Sequence, residues 1–245
     1  MKYPEVDRLH SLPDLIAPLI ANTQNDLTEI YMSWPTLQDH DVRLATFAKC
    51  LNALVPIHLS LYFLSDQMLD AKWWSSRNVP FYRPEGLAVI LKEFENSQKT
   101  QLVLSIFQAY ESSFRCLLTA IDQSSRLDHH SAFKSVYDRL FGLTLAPHHN
   151  DAVVTFDLLR NIRNTVHNNT VFFDKRAQDR SIVWNSETFH FKHGYPITFL
   201  NWDLLIQLVD ECRAAAKSVI TSDQVALMPT IIEDPYSREP IDEPV

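Results

Sequence analysis

The chain has 245 residues, of which 46% are hydrophobic and 21% are charged, and this composition is typical of a globular protein with a sizeable core. Only 3 residues are glycine, which excludes glycine-rich phosphate loops and dinucleotide-binding turns and favours helices. The formal net charge of -8 opposes contact with nucleic acid unless basic residues cluster locally.

The first part of the chain is predicted to be helical. Apolar residues recur at helical spacing over 13–33, and the pattern resumes over 38–70 with a break or bend expected at Pro56. The apolar stretch 44–64 contains polar residues and a proline, so we interpret it as buried or Pro-kinked helix and expect no membrane span.

Residues 73–86 are predicted to form a loop with aromatic anchors. Four further helices are expected after it, over 86–96, 98–122, 131–142 and 151–168. The periodicity then changes, because 181–194 alternates apolar and polar residues around Asn185, Ser186 and Glu187, which predicts a β-hairpin. A last amphipathic helix is expected over 198–221.

These elements predict a mainly α-helical bundle with a small β-hairpin near the C-terminus. We expect residues 1–85 to be a helical region of unassigned function that packs on a bundle formed by 86–228. The end, 229–245, holds five acidic residues, one arginine and four prolines. Such a segment buries too little apolar surface to fold alone, so we predict a flexible tail of net charge -4.

Residues 158–173, LLRNIRNTVHNNTVFF, carry an unusual density of polar residues. At about 100° per residue, Arg160, Arg163 and His167 fall within an arc of roughly 60°. That arc points away from an apolar stripe that is expected to face the core and consists of Val154, Leu158, Ile162 and Val166. Asn168 and Asn169 are suited to the end of this helix, because asparagine tolerates the left-handed conformation.

Arg160-Asn161 followed by His167 resembles the signature of the HEPN family of helical-bundle proteins. That signature is an arginine, four to six intervening residues and a histidine, with a polar residue directly after the arginine. The resemblance implies that Arg160 and His167 are catalytic, and that Arg163 is a helper, since it lies too close to His167 for the signature. Asn161 and Asn164 are expected to orient a phosphate or the histidine.

An earlier helix also resembles the family. In FQAYESSFRCLL (107–118), Glu111 and Arg115 lie four residues apart, as in the polar E-x-x-x-R face that meets the motif helix in HEPN proteins. The resemblance covers about 87–221. One departure is Asn169, which stands where some HEPN toxins carry a tyrosine that a nucleotidyltransferase partner modifies.

The resemblance implies a metal-independent ribonuclease. In RNA the 2′-OH can attack the adjacent phosphate, which requires a group that titrates near neutrality and cations that stabilise the phosphorane. His167 and the arginines supply these functions, and no cofactor or metal is expected. The family suggests a toxin or anti-phage defence role with an antitoxin or defence partner, and a homodimer in which two His167 side chains serve as base and acid.

Two other interpretations remain open for this helix. The arginines and the histidine can be an ordinary solvated face, or the chain can be a HEPN-like module that binds RNA, a nucleotide or a protein without cutting. Whether the purified protein cuts RNA in EDTA separates these possibilities.

Other histidines and cysteines suggest no metal site. The pairs His129-His130 and His148-His149 are expected to be solvated, and His190 and His193 lack a carboxylate or thiolate partner at ligand spacing. The cysteines, Cys50, Cys116 and Cys212, are widely spaced, which predicts buried reduced thiols. The N-terminus does not fit a signal peptide, so we expect a cytoplasmic protein. The aromatic pairs Trp73-Trp74 and Phe81-Tyr82 are expected to pin the loop to the core, with base stacking as the alternative.

Overall fold

The computed structural model describes residues 6–77, 84–124, 131–147, 149–228 and 231–235. These ranges form a mainly helical protein with one antiparallel two-stranded hairpin, as predicted. The helices are α1 (Val6–Ser33), α2 (Val42–Phe63), α3 (Ala71–Ser76), α4 (Pro84–Ile121), α5 (Phe133–Thr144), α6 (His149–His167), α7 (Trp202–Ile220) and α8 (Asp223–Ala226). The strands are β1 (Arg180–Trp184) and β2 (Glu187–Phe191).

The first helix is longer than predicted, and the second is not broken at its proline. The helix α1 begins at Val6 and contains Pro13 and Pro18. The helix α2 continues through Pro56, so of the break or bend expected there the break does not occur. The change in backbone geometry comes later, in a π-helical turn at Leu64–Met68. Proline costs an α-helix a hydrogen bond, but tertiary packing of the apolar faces outweighs that local cost.

Two more predicted boundaries are wrong. The segments 86–96 and 98–122 form the single helix α4, because the polar residues between them do not break a helix that is packed along its length. The start of the predicted loop 73–86 belongs to α3, where Trp74 is buried and donates a hydrogen bond from Nε1 to the Met68 carbonyl at 2.7 Å. Phe81 and Tyr82 lie outside the described residues.

The core is continuous from α1 to the C-terminal segment. Its aromatic centre is Phe156 on α6, whose ring lies against five other rings on α4 and α5. These rings belong to Tyr110, Phe114, Phe133, Tyr137 and Phe141. The motif helix is therefore anchored through the middle of the protein, which holds its outward side chains in fixed positions.

The predicted hairpin is confirmed, and it packs on the motif helix. Its turn residues Asn185 and Ser186 have positive φ angles of 49° and 66°, as a two-residue hairpin turn with the strand twist requires. The inner face of the hairpin is buried, and Trp184 Nε1 donates to Thr155 Oγ1 on α6 at 3.0 Å. One side of α6 is thereby covered by β1 and β2.

The expectation of a flexible tail starting at 229 is wrong for residues 231–235. Ile232 is buried, and its N–H donates to Asp41 Oδ2 at 3.1 Å. Asp234 is fully buried and pairs with Lys49 of α2 at 2.5 Å. The acidic composition suggested solvation, but Asp234 meets a cation and the backbone of the segment meets Asp41. Residues 236–245 lie outside the described residues.

One described stretch, Val42–Met68, is long and apolar enough to cross a membrane by composition, with a mean hydropathy of 1.4. Core helices of soluble proteins pass the same test, and 33% of this window is buried within the protein. The three cysteines are free thiols, with Cys50 and Cys212 buried and Cys116 half-buried.

Candidate functional site

The helix α6 carries the candidate site on the side that the apolar core leaves uncovered. Leu158, Ile162 and Val166 of the predicted apolar stripe are buried, whereas Val154 is half-buried. Along the polar arc, Arg160 and Arg163 are half-buried and His167 is exposed. Arg160 and His167 are seven positions apart on the helix, a rise of about 10.5 Å.

Arg160 is held in a polar network between α5 and α6. Its Nη2 pairs with Asp157 Oδ1 at 3.1 Å, and its Nε donates to the Tyr137 hydroxyl at 3.2 Å. The Tyr137 hydroxyl donates in turn to Asp157 Oδ1 through a short hydrogen bond. Lys134 Nζ pairs with Asp157 Oδ2 at 3.1 Å. The guanidinium is therefore positioned by two helices.

The pKa shifts in this network keep its ion pair charged. Burial by itself raises the pKa of Asp157, but hydrogen bonds from Tyr137 and Lys134, together with nearby positive charge, outweigh it and lower that pKa. Burial and the Asp157 carboxylate raise the pKa of the Tyr137 phenol well above its usual range, so the phenol remains a donor. Asp157 stays ionised near neutral pH and balances the charge of Arg160.

Arg163 is held by different contacts. Its guanidinium carbon lies 4.9 Å from the centre of the Phe107 ring on α4, a cation–π distance. Its Nη1 donates to Asn164 Oδ1 at 3.1 Å. Neither contact neutralises the guanidinium, so Arg163 keeps its charge on the outer face of α6. Asn164 orients this arginine, which is compatible with the supporting role expected for it.

His167 is the last residue of α6 and is exposed. Within the part of the chain that the structure describes, its imidazole makes no hydrogen bond or ion pair. The chain then reverses through Asn169 and Thr170, whose φ angles of 54° and 66° are positive. The predicted helix end at the two asparagines is therefore correct, and His167 is exposed at that end.

Asn161 does not lie on the polar face. It is 2% exposed, its Nδ2 donates to the Asp157 carbonyl at 2.7 Å, and its Oδ1 accepts from Arg180 Nη1 at 3.3 Å. Asn161 follows Arg160 by about 100° around the helix, which turns it towards the hairpin. In this position the Asn161 side chain does not reach the polar face where it was expected to orient a phosphate or the histidine, and it joins α6 to β1.

Glu111 is also placed away from the motif. It pairs with Arg115 along α4 at 2.7 Å, and Arg115 Nη2 donates to the Ser131 carbonyl at 2.9 Å. Glu111 lines a groove of about 800 Å³ between α2 and α4, whereas α4 meets α6 through aromatic rings such as Tyr110 and Phe114. Among the described residues Glu111 forms its ion pair with Arg115 of its own helix, so the structure shows no contact between Glu111 and the motif residues of α6.

The sequence analysis missed the residues that hold Arg160. Asp157 precedes Arg160 by three residues, a spacing at which ion pairs form on one helix, so this pair was readable from the sequence. Tyr137 and Lys134 lie on α5 more than twenty positions earlier, and no local pattern links them to α6.

The remaining histidines have separate surroundings. His190 Nδ1 lies 2.9 Å from Ser181 Oγ across the hairpin, and His193 Nδ1 accepts from the Asp174 N–H at 3.0 Å. No group of three or more His, Cys, Asp and Glu side chains in the described ranges is placed to hold a metal ion. His129, His130 and His148 lie outside those ranges.

Comparison with known proteins provides no relative for this chain. No family model matches it, and no curated protein or solved structure does. The candidate site therefore rests on the residues of α6 and their contacts.

Proposed function

We propose that the chain is a metal-independent endoribonuclease of the HEPN type, with its active site on the outer face of α6. The observation that carries the proposal is the position of His167. Its exposed imidazole lies one helical turn beyond Arg163, a cation with no acidic partner among the described residues, and two turns beyond Arg160. A titratable group beside an available guanidinium is the minimum equipment for cleavage by the 2′-OH.

The reaction assigns a role to each of these side chains. A neutral imidazole takes the proton of the 2′-OH, the 2′-oxygen bonds to the adjacent phosphorus, and the bond from phosphorus to the 5′-oxygen breaks. A protonated imidazole returns a proton to the leaving oxygen, leaving a 2′,3′-cyclic phosphate and a 5′-OH. Arg163 stabilises the charge of the phosphorane by paired hydrogen bonds.

Arg160 serves this site as a positioned cation. Its hydrogen bonds to the described residues use Nε and Nη2, so other N–H groups of the guanidinium remain for a phosphate. Its side chain is 19% exposed, which allows contact from one side only. Because Asp157 holds this guanidinium in one direction, Arg160 carries the larger share of the phosphorane stabilisation and Arg163 is its helper.

One imidazole does not conveniently act as base and acid in the same step, so we propose a homodimer with a shared site. A two-fold axis near the exposed end of α6 brings a second His167 and a second Arg163 to the same groove. This raises local positive potential despite the net charge of -8. By the same resemblance, the protein belongs to a cytoplasmic toxin or anti-phage defence system and meets an antitoxin or defence partner there.

A second candidate is a HEPN-like module that binds RNA, a nucleotide or a protein without cutting it. The observation that favours it is the network around Arg160, where the expected catalytic guanidinium is paired with Asp157 and Tyr137. An arginine that is paired in this way stabilises the packing of α5 on α6 and contributes less to the stabilisation of a transition state.

Cleavage of RNA in EDTA by the purified protein, with analysis of the ends, tests the proposal. We expect 2′,3′-cyclic phosphate ends, and His167→Ala should lower the cleavage rate by at least about 100-fold, the usual share of acid–base catalysis. The matched control is His10→Ala, an exposed histidine on α1, which should cleave like the wild type.

Alanine variants of the two arginines show how much each cation contributes to cleavage. Arg160→Ala should abolish cleavage and Arg163→Ala should reduce it less, with circular dichroism checking that each variant folds. Wild-type activity in a folded His167→Ala variant contradicts the ribonuclease proposal. An inactive wild type that still binds RNA supports the second candidate.

A further inference from the structure

Two exposed aromatic rings lie on the segment that follows α6. Phe173 is 56% exposed and Tyr195 is 54% exposed, although large apolar rings of a protein this size are mostly buried. We name the surface formed by Phe173, Lys192, His193 and Tyr195 the 173/195 patch. Nothing in the core or in the proposed chemistry of α6 uses these rings.

The patch is held by backbone hydrogen bonds within one turn. The Phe172 N–H donates to the Tyr195 carbonyl at 3.0 Å, and the Gly194 N–H donates to the Phe172 carbonyl at 2.8 Å. Gly194 has a φ of 76°, which suits glycine and closes the turn from Lys192 to Tyr195. The rings are therefore presented from a defined backbone.

Each exposed ring has a second side chain against it. The imidazole of His193 meets the Phe173 ring at 82° with 5.7 Å between the ring centres. Lys192 Nζ lies 4.1 Å from the centre of the Tyr195 ring. A ring beside a cation, as in the pair of Tyr195 and Lys192, is an arrangement by which proteins bind single-stranded nucleic acid, where the base stacks and the cation meets the phosphate.

The charge of this region is compatible with the binding of a polyanion such as RNA. The segment 171–197 contains four basic and three acidic residues besides two histidines, in a chain whose total is -8. Two of the acids are engaged, since Asp174 pairs with Arg180 at 3.3 Å and Asp179 accepts the His193 N–H at 2.8 Å. Lys175 and Arg176 are exposed on the same segment.

The patch lies close to the proposed catalytic histidine. The chain reverses directly after His167, and the Ile197 N–H donates to the Thr170 carbonyl at 3.0 Å. Six residues separate His167 from Phe173, so their Cα atoms are at most about 21 Å apart even if the chain between them were extended. A strand of RNA that reaches His167 can therefore extend onto this turn.

We propose that the 173/195 patch binds single-stranded RNA by base stacking on Phe173 and Tyr195, next to the α6 site. The proposal rests on the proposed function for the identity of the nucleic acid. It adds that the RNA bound here is single-stranded, because the bases within a duplex are already stacked on one another and do not offer their faces to these rings.

Fluorescence anisotropy with the full chain tests the patch. The probe is a labelled 2′-O-methyl oligopyrimidine of about 12 nucleotides, within the usual site sizes for single strands, and it lacks the nucleophile for cleavage. We expect Phe173→Ala and Tyr195→Ala each to raise Kd by about 5-fold or more. Tyr195→Phe should retain binding, because the ring is kept.

The matched control is Tyr31→Ala, which removes another exposed ring, 49% exposed, from α1. It should leave Kd unchanged, and all variants should melt like the wild type because these rings contribute little to the core. A duplex of the same length should bind more weakly than the single strand.

The outcomes separate this proposal from the ribonuclease proposal. Binding that depends on the rings, in a protein that does not cut unmodified RNA, supports the patch and overturns the cleavage proposal. Cleavage with ring variants that bind like the wild type overturns the patch alone. A wild type that does not bind the probe contradicts the proposed RNA binding by the patch. The finding that the two rings contact a protein instead of RNA contradicts it as well.

Discussion

At the scale of single residues, the network around Asp157 shows how one carboxylate serves several donors. Asp157 accepts from Tyr137 and pairs with both Lys134 and Arg160, and its pKa is lowered although burial opposes this. The network joins α5 to α6 at the level of Arg160. Its charge balance therefore affects both the stability of the protein and the reactivity of the arginine.

Replacing Asp157 with asparagine should make the stability difference from the wild type depend on pH. A carboxyl whose pKa is lowered in the folded state stabilises the protein above its unfolded pKa, near 3.8, and loses that contribution as the pH falls through the folded pKa. We expect Asp157→Asn to be less stable than the wild type at about pH 6, with the difference shrinking below about pH 4. Urea unfolding at several pH values measures this.

Asp138→Asn is the control for that series, because Lys134 is the one ion-pair partner of Asp138 among the described residues and the Asp138 side chain is 41% exposed. Its stability should change little with pH relative to the wild type. A difference for Asp157→Asn that stays constant down to about pH 2 would contradict the lowered pKa of Asp157.

At the scale of elements, the segment 231–235 behaves as part of the fold. It joins the start of α2 through an isolated β-bridge between Asp41 and Glu233, and the Val42 N–H donates to the Ile232 carbonyl at 2.8 Å. The Arg43 guanidinium pairs with Asp41 and donates to the Met228 carbonyl at 3.2 Å, which fixes the approach to this segment. The C-terminal segment thus covers the N-terminal end of α2.

Neighbouring isoleucines in this segment should respond differently to alanine substitution. Ile232 is 6% exposed and Ile231 is 39% exposed. Ile232→Ala should lower the free energy of unfolding by about 2–5 kcal/mol, as expected for a buried aliphatic side chain, whereas Ile231→Ala should cost less than about 1 kcal/mol. Denaturant unfolding of both variants measures the contrast, and equal, small effects would show that the segment does not pack in solution.

At the scale of the whole molecule, we predict a homodimer because each chain carries a single set of motif residues, with one His167. At the C-terminal end of α6, His167 is exposed and its imidazole makes no hydrogen bond or ion pair with the described residues, so a second copy has access to it. The same end leads into the 173/195 patch, which puts the proposed RNA surface beside the proposed two-fold axis.

Sedimentation of the protein at micromolar concentration measures its assembly. We expect twice the 28.4 kDa of the chain, since base and acid come from two copies of His167. Mixing inactive His167→Ala protein with wild type should then lower the activity of the wild type by exchange of subunits. A 28.4 kDa monomer that still cleaves RNA would rule out the shared site.

Some elements of the structure follow from residues that are close together in the sequence. The end of α6 at Asn168 and Asn169, the hairpin and its Asn185-Ser186 turn, and the helical character of the chain follow from periodicity and from turn residues. These features depend on neighbours within a few positions, where side-chain pattern and backbone preference act together.

Which polar residues meet depends on the tertiary fold. Tyr137 reaches Arg160 from 23 positions away, and Asp234 reaches Lys49 from 185 positions away. The turn of Glu111 towards α2 and of Asn161 towards β1 depends on how neighbouring helices are rotated, which a single helical pattern does not specify. A rotation of about 100° per residue is enough to exchange an outward face for a packed one, so the polar density of the motif did not reveal which of its side chains face solvent.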